Sequence, residues 1–224
     1  MRGAGLVDSA RPFTQFMRSR LPPTIELPDV LAELFDLIDA NDWIVQGRAN
    51  REPYGGLAPG ERWLHDGTSV SFHIEPHDLR TQYSELWLGV PGLHDVLVPF
   101  ARTGADGSEA ALWVAGDGRQ RIVHMGSGSG SILTCVLASE PIDFLRLLAI
   151  GYPEICWLAE PEFDDPPTRD DGFSTVNQPF RDWLLGHGVS IPSTARDIVP
   201  NPAQMGDTDS PDPFCSWLDG ISGQ

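Results

Sequence analysis

Ala110-Ala111-Leu112-Trp113-Val114-Ala115-Gly116-Asp117-Gly118-Arg119-Gln120-Arg121-Ile122-Val123-His124-Met125 is the stretch that decides the fold. Two apolar runs of strand length flank an Asp-Gly pair, and such a pair supplies the positive φ that a tight hairpin turn needs. The segment predicts antiparallel strands over 110–115 and 121–125, joined at Gly116-Asp117-Gly118. Upstream, Val96, Val98 and Phe100 alternate in a further strand; Pro99 has no amide donor and favours an edge or irregular position. A turn over 103–108 joins that strand to the hairpin. Earlier still, residues 69–75 alternate strictly, which predicts a half-buried strand with Val70, Phe72 and Ile74 inward and His73 toward solvent. Residues 85–90 predict a short strand, as do Trp43, Ile44 and Val45. Beyond the hairpin, a flexible connection over 126–130 leads to alternating Leu133, Cys135 and Leu137.

Helical patterns flank this region. From Pro28, the residues Leu31, Leu34, Phe35 and Ile38 form an apolar stripe with Asp29, Glu33 and Asp36 opposite. A second helix is capped by Ser139, carries Pro141 in its first turn, and is stopped by Gly151 and Pro153. A third runs through Phe180, Trp183 and Leu184, and a short terminal helix through Phe214, Trp217 and Leu218. The order predicts an α+β fold: a single antiparallel sheet of about five or six strands with helices packed against it. The expected division is an N-terminal extension over 1–27, one α+β domain over 28–218, and a tail over 219–224. The expected core holds Val70, Phe72, Ile74, Val96, Val98, Leu112, Val114, Ile122, Leu133, Leu137, Leu145 and Leu148.

With 224 residues, 41% of them hydrophobic, the chain has material for a sizeable core. No run reaches the about 18–20 apolar residues of a membrane span. No apolar signal core follows Met1, and the three cysteines lack a paired spacing, so a reduced, cytoplasmic setting is expected. The formal charge is −17, and every basic residue is arginine. From position 160 onward there are twelve acids against three arginines, so −9 of the −17 lies in the last 65 residues. Such a surface repels phosphate backbones, so no nucleic-acid partner is expected. It favours encounter with a basic protein, or serves solubility alone.

Few patterns point to chemistry. His73-Ile74-Glu75-Pro76-His77 resembles a zinc tripeptide only superficially, because Pro76 breaks any helix that would align two imidazoles. A metal is therefore not expected, nor a cofactor. Gly126-Ser127-Gly128-Ser129-Gly130 lacks the Lys-Ser/Thr of a phosphate loop and is followed by a strand rather than a helix. No nucleophile elbow is present, and carboxylate pairs are too numerous to single out. No catalytic residue is assigned. Trp113, flanked by Leu112 and Val114, lies on the opposite face of its strand from them: it is a candidate contact anchor if that face is open, and a covered residue if a helix packs there.

The ordered segments Val98-Pro99-Phe100-Ala101-Arg102-Thr103-Gly104-Ala105-Asp106-Gly107-Ser108, Ala111-Leu112-Trp113, Arg121-Ile122-Val123-His124-Met125-Gly126-Ser127 and Phe144-Leu145-Arg146-Leu147-Leu148-Ala149-Ile150-Gly151-Tyr152 resemble the core of the SUKH superfamily. Phe180-Arg181-Asp182-Trp183-Leu184, Val189-Ser190-Ile191-Pro192 and Phe214-Cys215-Ser216-Trp217-Leu218 resemble its bacterial members. The resemblance implies a non-enzymatic α+β binding domain, an immunity protein that blocks a polymorphic toxin by direct contact. The partner that the resemblance implies is a basic toxin domain, a class that includes nucleases. The expected contact residues are Trp113 with the turn acids Asp106, Glu109 and Asp117, and then Asp164, Asp165, Asp170 and Asp171. Two other readings stand beside it: a small hydrolase or ligand-binding enzyme using scattered carboxylates with His65, His73 or His124, and a regulatory scaffold in wall or stress biology.

Overall fold

Strand-forming runs separated by turn residues pair here with their neighbours in sequence. The computed structural model describes residues 12–48, 50–60, 70–156, 160–167, 177–207 and 209–222. Its strands are β1 (Ile44–Gln46), β2 (Pro53–Gly55), β3 (Ser71–Phe72), β4 (Leu97–Arg102), β5 (Glu109–Val114), β6 (Gln120–Met125) and β7 (Thr134–Ala138). They form one open antiparallel sheet in the order β1-β2-β3-β4-β5-β6-β7. The class is α+β as expected, with seven strands rather than five or six. Among the described residues the α-helices are α1 (Pro12–Ser19), α2 (Asp29–Ala40), α3 (His77–Leu88), α4 (Pro141–Ile150), α5 (Gln178–Leu185) and α6 (Pro213–Ser222).

The β5–β6 hairpin pairs Leu112 with Ile122 and Val114 with Gln120, and Gly118 takes φ 77° at its turn. Only glycine adopts that φ without a Cβ penalty. Between β4 and β5 the register shifts between Pro99 and Ala101, so Pro99 falls at a bulge that excuses its missing donor.

Side-chain alternation on β5 divides two cores. Ala110 and Leu112 face the larger one, with Phe35, Phe72, Phe100 and Phe144 and with residues of α1, α2, α4 and α5. Ala111 and Trp113 face the smaller one, with Leu97, Val123, Met125, Phe214 and Leu218. The central strands are thus buried on both faces. On α4, Pro141 opens the helix, Phe144, Leu145, Leu147 and Leu148 are buried, and Gly151 ends it at φ 105°. Each such side chain contributes about 1.5–3 kcal/mol of hydrophobic stabilisation. The cap is Glu140 rather than Ser139, whose amide-bonding role passes to the Glu140 carbonyl accepting from Asp143 N–H at 2.9 Å.

Several expectations are corrected. Residues 85–88, expected as strand, belong to α3, which Pro76 opens and Asp78 supports in its first turn. The strand expected over 69–75 is reduced to Ser71–Phe72, and Ser69 lies outside the described residues. Within residues 12–27, Phe13, Met17, Ile25 and Leu27 are buried in the larger core. At the other end, α6 runs through Ser222. Of the expected core, Val96 and Val114 are only half-buried and the other ten residues are buried.

The outer edge of β7 is closed by a later segment. Gln204 forms a bridge with Leu133, Thr134 N–H donates to Ala203 O at 2.8 Å, and Met205 N–H donates to Ile132 O at 2.8 Å. Asp212 finishes the closure. Its Oδ2 accepts from Val136 N–H at 2.9 Å, while Oδ1 accepts from Phe214 and Cys215 N–H at the start of α6. No helix among the described residues is long and apolar enough to cross a membrane.

Candidate functional site

Antiparallel pairing of β2 with β3, through Gly55 opposite Phe72, brings together side chains about twenty positions apart. Glu52 precedes β2, while His73 and Glu75 follow β3. The period of two along extended backbone sends His73 and Glu75 to the same side. They border a cavity of about 140 Å³ that also meets Tyr54, Arg80 and the cross-strand pair Arg102 and Glu109.

His73, expected at the surface, has a side chain only 7% exposed. Its ring stacks on Tyr54 at 4.2 Å and 18°, and Phe16 lies 5.6 Å away. Nδ1–H donates to Pro53 O at 3.1 Å, the only polarity a carbonyl permits. Nε2 then points at two carboxylates: Glu52 Oε2 at 3.1 Å and Glu75 Oε2 at 3.6 Å. Arg20 holds the other oxygen of Glu52 at 2.6 Å, and Arg80 donates to the Arg20 carbonyl. His77 takes no part. It sits with His94 and Asp95 in a separate, more exposed group, its ring 4.7 Å from that of His94.

His124 has a structural environment. It is buried; Thr103 Oγ1 and the Leu133 carbonyl occupy its two ring nitrogens, each at 2.9 Å. Burial lowers its pKa to about 4, against the smaller upward pull of Leu133 and Asp106. The ring is therefore neutral: Nδ1–H donates to Leu133 and Nε2 accepts from Thr103. His65 lies outside the described residues.

The expected contact residues are dispersed. Trp113 is 2% exposed, beneath Phe214 at 5.2 Å and Trp217 at 5.4 Å, so of its two readings the covered one holds and it is not an open contact anchor. The face that alternation leaves undecided is covered by α6. Asp106 is half-buried and turned inward: it accepts from Ser108 N–H at 3.0 Å, Ser108 Oγ at 2.7 Å, Ser127 Oγ at 2.8 Å and Ser131 N–H at 2.8 Å. Burial alone would raise its pKa, but these four bonds outweigh it and hold the carboxyl at about 2. The 126–130 loop is thus tethered to this carboxylate rather than free. Gly130 is required there, since a Cβ would come within 2.6 Å of Asp106 Cβ.

Glu109 is half-buried at the cavity. Asp117 is exposed and paired with Arg121 at 2.7 and 3.1 Å, which holds its carboxyl below the usual range. Asp164 is exposed and paired with Arg196 at 2.9 and 3.0 Å, with the same effect. Asp165 is exposed, and its carbonyl accepts from Tyr152 Oη. Asp170 and Asp171 lie outside the described residues. Burial raises the thiols of Cys135, Cys156 and Cys215, which disfavours the nucleophilic thiolate.

Against this geometry, comparison with protein-family models, with characterised proteins and with solved structures returns no match.

Proposed function

We propose that the protein is a non-enzymatic binding domain of the SUKH type that neutralises a basic protein partner, a toxin domain, by direct contact in the cytoplasm. The carrying observation is an acid excess displayed on the surface, with four arginines tied to carboxylates. Arg20, Arg121, Arg146 and Arg196 each pair with an acid of the same chain. Exposed Asp29, Asp42, Glu140, Asp182 and Asp197 add to the negative field of a chain charged −17. Such a field accelerates encounter with a cationic protein more than it tightens the final complex. The segments that resemble the superfamily lie on β4, β5, β6 and α4, and the helix–sheet–helix order supports the same reading.

The acids that steer are not the ones first expected, because Asp117 and Asp164 are already neutralised by Arg121 and Arg196. Asp29 and Asp42 at the ends of α2 and Asp182 on α5 are the better candidates. The test is the association rate with a candidate basic toxin domain, at low and high salt, for wild type and Asp29→Asn/Asp42→Asn/Asp182→Asn. A salt-sensitive rate that falls several-fold in the triple variant supports the reading. A salt-independent rate, or one untouched by the substitutions, overturns it.

A further inference from the structure

We propose that Glu52, His73 and Glu75 form a binding site for a divalent transition-metal ion of the zinc class. The inference goes beyond the binding-domain reading and does not depend on it.

Three ligand atoms converge without a donor to satisfy them. Glu52 Oε2, His73 Nε2 and Glu75 Oε2 are buried atoms with no hydrogen-bond partner, and all lie within 4.8 Å of one another. Buried polar atoms are costly unless paired, and two carboxylates facing an imidazole lone pair call for a cation between them. The spacing suits one. Ligands at about 2.0–2.2 Å around a tetrahedral zinc ion stand about 3.3–3.6 Å apart. The observed separations from Nε2 are 3.1 and 3.6 Å.

The surroundings are those of a held ligand rather than a chance encounter. The His73 side chain is more than nine-tenths buried and clamped against Tyr54. Its Nδ1–H donates to the Pro53 carbonyl, which fixes the tautomer that leaves Nε2 free to ligate, as in most metal-bound histidines. His73 N–H bonds Phe100 O at 2.9 Å, so the backbone is fixed to β4 as well. Arg20 engages only Oε1 of Glu52, which orients the carboxylate and leaves Oε2 for the ion. One imidazole nitrogen with two carboxylate oxygens is a donor set for zinc, cobalt or manganese. Three protein ligands leave a further coordination position for water. Arg20 and Arg80 nearby oppose the ion with positive charge, so binding is expected to be weaker than in a closed structural site.

The rival account is a protonated His73 bridging the two carboxylates with no ion. Titration of the metal-stripped, untagged full chain with Zn²⁺ by calorimetry, and with Co²⁺ by visible absorption, separates the two. One equivalent is expected, with cobalt d–d bands of a low-coordinate N/O site. Glu75→Gln preserves shape at a side chain 43% exposed and is expected to keep the fold while weakening binding by about tenfold or more. His73→Gln is expected to abolish binding. His77→Ala, in the neighbouring His77/His94/Asp95 group, is expected to leave it unchanged. Absence of stoichiometric binding overturns the proposal. So does binding that survives Glu75→Gln intact, or that is lost in His77→Ala.

Discussion

Replacing Asp106 with asparagine tests whether this acid acts as a surface charge or as an internal tether. The carboxylate accepts four hydrogen bonds, three of them at Oδ2. An amide presents one acceptor and one donor. If its oxygen stays on Ser108 N–H, the new –NH₂ faces the buried Ser131 amide and two hydroxyls; if it turns over, Ser108 N–H is orphaned. Hydrogen bonds to a charged group contribute about 1.5–3 kcal/mol each, and neutral ones about 0.5–1.5. Summed over four bonds, the loss of charge assistance alone suggests about 4–6 kcal/mol as an upper bound, since water on the open side compensates part of it. The titration gives a second route. The fall from 3.8 to about 2 corresponds to about 2 kcal/mol before allowance for water on the open side of a half-buried group. We expect a destabilisation of about 1–2 kcal/mol at neutral pH.

The sign with pH follows from linkage. The folded pKa lies below the unfolded one, so the stabilisation is present above about pH 4 and is lost as pH falls toward 2. Urea unfolding followed by tryptophan fluorescence at pH 7, 4 and 3 should show the gap between wild type and Asp106→Asn narrowing with acid. A variant as stable as wild type at pH 7, or a gap that stays constant, would refute the tether.

Two further outcomes follow from buried groups. His124 has a folded pKa of about 4 against 6.5 unfolded, so the unfolded chain takes up the proton first and stability declines as pH falls from about 6.5 to 4. The loss is about 3 kcal/mol at its fullest, and His124→Gln should flatten that limb of a stability–pH profile measured by calorimetric melting. Trp113→Ala should cost about 3–5 kcal/mol by opening a cavity under α6, while Trp113→Phe should cost much less; a chain that melts unchanged after Trp113→Ala contradicts the described burial.

The sheet was legible where the signal was local. The Asp-Gly turn and the flanking apolar runs state their own pairing, and β4 to β7 follow by alternation. α3 was not, because Leu86-Trp87-Leu88 is an apolar cluster compatible with a strand, whereas the helix signal lay ten residues earlier in Pro76 and Asp78. For Trp113 the pattern leaves two readings open, since alternation tells which residues share a face but not whether a distant helix covers it. The cavity cluster was hidden for the same reason. Reading His73 through Glu75 and His77 follows chain order, yet Glu52 reaches His73 through strand pairing, which no short spacing reveals. The arginine partners of Asp117 and Asp164 differ instructively: Arg121 is four residues along the hairpin, whereas Arg196 is distant in sequence.

An open sheet whose last strand ended bare would offer a row of amides and carbonyls to any passing chain. Here that role falls to Ala203–Met205 and the Asp212 side chain, which bond to residues 132–136 and supply contacts a foreign strand would otherwise provide. β1 guards the opposite margin by brevity, at three residues. The segment after α5, largely without regular structure, therefore acts as a selvage: it keeps the weave from unravelling and from being knitted to another copy. Loop-like composition in such a place does not signal dispensability. In a chain rich in buried β-structure it helps to decide between a discrete fold and edge-to-edge growth.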